Sequence, residues 1–167
     1  MSLHDELLDV ARSLLRRNQG RPTQGDLRRS ISSAYYALFH RLIDDGVTQL
    51  ASGASQPEAL GRAFGHTDMK KVCQHLQKSP LPQQMTSLFG ASVPTELKNV
   101  AATFIELQEL RHEADYNRAR SFDKSDGRNA LGRVETAFRD WDQVRTTPAA
   151  QIFLVLLLLG DRWNRGS

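Results

Sequence analysis

Apolar residues recur along this chain every three to four positions, the period that gathers them on one face of an α-helix. Leu3, Leu7, Val10, Ala11, Leu14 and Leu15 make the first stripe, which predicts a helix from about Leu3 to Asn18. Ser2 is placed to cap it, with Asp5 returning the bond, and Gly20 and Pro22 end it. A second helix begins at Thr23, where Asp26 repeats the capping box. Leu27, Ile31, Ala34, Tyr35, Leu38 and Leu42 form its main face. Arg29, Ser33, Tyr36, His40, Ile43 and Val47 line the opposite one, so cover is expected on both sides, from this chain or from a second subunit. Gly46 marks its end or a local break.

The pattern weakens from Gln49 to Gly65, where one short helix is expected around Glu58 to Phe64. Thr67 is expected to cap a helix carrying Met69, Val72, Cys73 and Leu76, which ends before Pro80. Ser79 to Pro94, with three prolines and Gly90, reads as a loop, and a long one for a compact domain. Ser92 and Pro94 open a helix running to about Tyr116 or Asn117, with Leu97, Val100, Phe104, Leu107 and Ala114 on one face. Asn117 to Gly127 is polar and turn-like. A helix from about Arg128 to Arg145 follows, striped by Leu131, Val134, Phe138 and Trp141. Thr147 and Pro148 restart the chain as an apolar helix, Ala149 to Asp161. There is no strand alternation and no internal repeat, so the expectation is an all-α, antiparallel up-and-down bundle of five or six helices. Residues 1–147 would form the bundle, with 148–167 packed on it or at a subunit interface.

Composition narrows the class only a little. A chain of 167 residues, 40% hydrophobic and 25% charged, can bury a core as one domain. A net charge of +3 leans towards anionic partners. A single cysteine, Cys73, excludes an internal disulfide framework and suits a reducing cytoplasm. The first residues are acidic where a signal peptide is basic. The apolar run Ile152 to Leu159 is far short of the roughly 20 residues that span a bilayer as a helix. A cytoplasmic protein with no membrane contact is the expectation.

One position breaks the apolar face of the Pro94–Tyr116 helix. Arg111 stands where a leucine would complete it. A guanidinium among apolar side chains costs several kcal/mol unless it is paired or hydrogen-bonded. Asp115, one turn on, can supply the countercharge. Such a pair either ties helices together or lines a polar cleft with a binding or catalytic task. Other constellations carry less. Cys73 and His75 diverge on a helix, so with His66 they do not make a metal site, and no metal is expected. No glycine-rich phosphate loop or dinucleotide fingerprint points to a cofactor. Arg16-Arg17, Arg28-Arg29, Lys70-Lys71, Arg118 and Arg120 can contact phosphates or be scattered surface cations.

Two stretches together resemble HEPN domains. Ser32-Ser33-Ala34-Tyr35-Tyr36-Ala37-Leu38-Phe39-His40 is similar to the second-helix signature of small bacterial HEPN proteins, Ala-Tyr-Tyr-Ala-x-Phe-His. Arg111-His112-Glu113-Ala114-Asp115-Tyr116 resembles their Arg-x-x-Ala-Asp-Tyr motif. The likeness spans about Leu3 to Val144. It implies a helical bundle, usually a homodimer, with the arginine motif at a cleft near the dimer interface. Many HEPN proteins are metal-independent ribonucleases of toxin–antitoxin and phage-defence systems, some beside a nucleotidyltransferase antitoxin. Those ribonucleases carry a polar residue after the arginine and a histidine five to seven positions on. Here His112 supplies the polar residue, but Tyr116, Asn117 and Arg118 stand where the histidine belongs.

RNA cleavage through the 2′-OH needs a group that moves protons near neutral pH and a cation for the developing charge. Arg111 suits the second task. His112, Tyr116 and His40 are the candidates for the first, although a tyrosine with an ordinary pKa of about 10 is a poor base. Arg111, Asp115, Asn117, Arg118 and Tyr36 are the candidates for holding the ligand phosphate. The expected function is RNA or nucleotide-phosphate binding with degenerate or absent ribonuclease activity. The alternatives are a non-catalytic dimerisation or protein-interaction module and an enzyme acting on a small nucleotide.

Overall fold

The computed structural model describes residues 1–164. Among these the regular structure is helical throughout: α1 (Leu3–Gly20), α2 (Gln24–Leu50), α3 (Pro57–Gly61), α4 (His66–Leu76), α5 (Gln83–Phe89), α6 (Thr95–Tyr116), α7 (Lys124–Val144) and α8 (Pro148–Leu159). A 3₁₀ turn over Gly160–Asn164 follows α8. The protein is an all-α helical bundle. Six helices have eleven residues or more and carry most of the packing; α3 and α5 are too short to show a clear period in sequence.

Capping chemistry fixes three of the starts. The Ser2 hydroxyl accepts from the Asp5 amide at 3.3 Å, and Thr23 accepts from Asp26 at 3.2 Å, each with the returning carboxylate bond in place. A third capping box, Asp123 with Asp126, starts α7 at Lys124, four residues ahead of the Arg128 expected from the apolar stripe. The regular part of α1 stops at Arg16, because Arg17, Asn18 and Gln19 leave helical geometry. α4 begins at His66 behind Gly65, so Thr67 sits inside the first turn rather than capping it.

Two other expectations change. α2 runs through Gly46 without a break. That glycine is buried because Phe64 presses on it: a Cβ there would lie 2.7 Å from the ring tip. The segment Ser79–Pro94 is not all loop. It folds over α5, anchored by the fully buried Met85 and the half-buried Phe89.

α2 is the centre of the bundle, packed by α1, α6, α7 and α8. Tyr35, Phe104, Trp141 and Phe153 fill the core without solvent contact. Asp45 on α2 accepts from the Trp141 indole N–H at 2.5 Å and from Arg145 Nε at 3.1 Å, which ties α2 to the end of α7. Burial opposes that carboxylate's charge, but the donors from Arg145 and Trp141 outweigh it and hold the group below its ordinary range. α8 buries Ala150, Phe153, Leu154, Leu156 and Leu157 against α4 and α2. No helix among the described residues is long and apolar enough to cross a membrane.

The second face of α2 is covered by this same chain. Gly61 packs on Ile43 and Val47, and the His66 ring stacks on Phe39 and meets Tyr36 edge-on.

Candidate functional site

Arg111 projects from the last third of α6, with 13% of its side chain exposed. Its Nη1 donates to Asp115 Oδ2 at 3.3 Å, one turn along the same helix. Its guanidinium carbon sits 5.3 Å from the Tyr35 ring centre and 5.8 Å from that of Tyr36. The cation that interrupts the apolar face is therefore received by two tyrosine faces, which attract positive charge. Arg111 Nε is buried and has no partner.

The same tyrosines receive a histidine from the opposite side. The Tyr35 hydroxyl lies 2.6 Å from His66 Nδ1, and the His66 ring stacks on Phe39 with centres 3.9 Å apart. Burial pulls the His66 pKa below its usual value, and the positive Arg111 and the nearby His40 add to the effect. Burial also pushes the Tyr35 hydroxyl pKa well up, so that hydroxyl stays neutral. Sequence reasoning weighed His66 only as a metal partner of Cys73 and His75. Nothing in local spacing signals its meeting with Tyr35, which lies 31 residues away in the chain.

A cleft of about 570 Å³ opens at this point, between α4, α6 and α7. Lys70, Arg111, Arg120 and Arg133 bring positive charge to it. Glu106, Glu109 and Glu113 oppose three of them, at 2.6 Å from Arg133, 3.1 Å from Lys70 and 3.9 Å from Arg120. These pairs are largely solvent-exposed and each is worth at most about 1 kcal/mol, so an entering anion can draw the cations to itself. A smaller cleft of about 350 Å³, lined by Arg28, Asp115 and Arg118, shares Arg120 with the first. Arg28 holds the corner between them. Its guanidinium donates to the carbonyls of Ala114 at 2.7 Å and Asn117 at 3.0 Å, and to that of Arg120.

The expected site residues separate into groups. Arg111, Asp115 and Tyr36 meet in one cluster. His112 lines the main cleft, and its ring lies 4.9 Å from that of Tyr116, which is 66% exposed. Arg118 lines the smaller cleft. Asn117 shapes the turn after α6: its Nδ2 donates to Glu113 at 2.7 Å, and its Oδ1 accepts from the Ala119 and Arg120 amides. His40 packs half-buried beside Phe39 and Tyr36, and neither it nor His66 lines a cleft. Among the described residues no group of three or more His, Cys, Asp or Glu side chains is arranged to hold a metal. Cys73 is fully buried, with its thiol pKa pushed well up by that burial.

Fold and site together define an all-α bundle with a cationic cleft backed by paired tyrosines. No protein-family model, no curated protein and no solved structure matches the chain.

Proposed function

We propose that this is a HEPN-like bundle that binds RNA or nucleotide phosphate at the Arg111 cleft. It would serve in a toxin–antitoxin or phage-defence system, with a degenerate ribonuclease centre or none. The observation that carries the reading is the state of Arg111. It is mostly buried, served by one long bond to Asp115, and left with an unpaired Nε beside a cleft that holds three further cations. A guanidinium whose task was only structural would have its donors filled, because an unmet buried donor costs about 1–3 kcal/mol. Binding rather than cleavage fits the absence of an imidazole at Tyr116, Asn117 and Arg118. The test is fluorescence anisotropy of a labelled RNA decamer across a salt series. Affinity is expected to fall as salt rises, by a log–log slope of roughly 0.7 per phosphate contacted. No binding even at low salt would overturn the reading.

A second reading, a module that pairs with another copy of itself, draws on a different surface. A groove of about 530 Å³ runs beside α8, lined by Leu50, Leu88, Ile152, Val155 and Trp163. Leu88 and Val155 are 49% and 39% exposed. Light scattering of wild type and of Val155→Glu tests it: a dimer that the substitution splits supports this reading, and a wild-type monomer sinks it.

A further inference from the structure

Gln108 sits one turn before Arg111 on α6 and lines the same cleft. It is 8% exposed, whereas its lining neighbours Glu106, Glu109 and His112 are open to solvent, so Gln108 forms the inner wall. Its Nε2 donates to the backbone carbonyl of His66 at 3.1 Å. A carbonyl only accepts, so this bond fixes which end of the amide is which. The other end, Oε1, is therefore an acceptor, and it is buried without a partner. Arg111 Nε is a buried donor without a partner, and positions three apart on a helix are neighbours.

The inner wall thus presents one unmet acceptor beside one unmet donor. Inorganic phosphate or a carboxylate can fill only the second. A deoxyribonucleotide has no hydroxyl beside its 3′-phosphate. A ribonucleotide has both parts, a 2′-OH that donates and an adjacent anionic oxygen that accepts. We infer that Gln108 is a specificity-determining residue that accepts a hydrogen bond from a ribose hydroxyl while Arg111 holds the neighbouring phosphate. The inference rests on the phosphate-binding reading of the cleft and names the ligand class that this site selects. The neutral amide discriminates because a ligand lacking the hydroxyl leaves Oε1 buried and unpaired.

The test compares three labelled decamers of one sequence: RNA, DNA and 2′-O-methyl RNA. The methyl ether keeps the oxygen and removes the donor. Wild type is expected to bind RNA roughly tenfold tighter than either analogue, the worth of one buried hydrogen bond left unmade. Gln108→Met, similar in length and unable to accept strongly, is expected to bring that ratio close to one. Adenosine 3′-monophosphate and its 2′-deoxy counterpart form a second arm. A preference in both arms makes the single ribonucleotide the recognised unit, and a preference for the decamer alone makes RNA the source. Equal binding of RNA and 2′-O-methyl RNA by wild type, with both lost in Arg111→Ala, overturns the role of Gln108 and leaves the cleft reading standing. A ratio unchanged in Gln108→Met also overturns it. Failure to bind any decamer removes both proposals. If Gln108→Met does not fold, the wild-type comparison with the 2′-O-methyl strand decides alone.

Discussion

The Tyr35 hydroxyl meets His66 Nδ1 at 2.6 Å, joining the middle of α2 to the first turn of α4 directly beside Arg111. The contact turns the Tyr-Tyr pair into a partition. The imidazole stands on one side of the rings and the guanidinium on the other. Tyr35→Phe keeps the ring and deletes the bond. It is expected to lower stability by about 1 kcal/mol, the net worth of one such hydrogen bond, as read from the urea midpoint. An unchanged midpoint would mean the bond is not formed in solution.

His66 and His40 make a pH prediction with a definite sign. Both have folded pKa values below the ordinary 6.5, burial being the main cause in each. Below that pH the unfolded chain binds protons that the folded chain refuses, so stability declines as pH falls from about 6.5 towards the folded values. At pH 7.5 both states are neutral and the loss is absent. Urea melts at pH 7.5 and 5.5 are expected to show the decline, and His66→Gln is expected to reduce it. A melt that strengthens on acidification would contradict the assignment.

Much of the fold was legible because it is written in short-range chemistry. The Ser2–Asp5 and Thr23–Asp26 boxes and the apolar stripes of α1, α2 and α6 locate those helices from sequence. α5 was not legible: seven residues among prolines carry too few turns to show a period, and its reason to fold is the pocket that takes Met85. Gly46 read as a breaker because a glycine's local preference is visible, whereas the Phe64 ring that requires it comes from a distant segment. The site follows the same division. Arg111 and Asp115 are a turn apart and could be paired by counting. His66, Gln108 and Arg28 enter the site through contacts between distant segments, to Tyr35, to the His66 carbonyl and to the end of α6, which no spacing rule announces.

Arg28 offers a test of how the cationic corner is held. It satisfies carbonyls left open at the C-terminal end of α6 and in the turn beyond, a favourable place for a cation. Arg28→Met is expected to cost about 1–2 kcal/mol and to speed amide exchange in the turn from Asn117 to Ser121, with the core amides protected as before. Uniform exchange changes across the chain would argue against a local role.

The central claim is that Arg111 is kept in the bundle to hold phosphate. The most direct measurement is the affinity of Arg111→Ala for the RNA decamer at low salt, taken with its far-UV circular dichroism. The account predicts at least a tenfold loss of binding, in line with roughly 1.5–3 kcal/mol for a hydrogen bond to a charged group, while helicity is retained. Wild-type affinity in that variant, or loss of the helical signal, would contradict it.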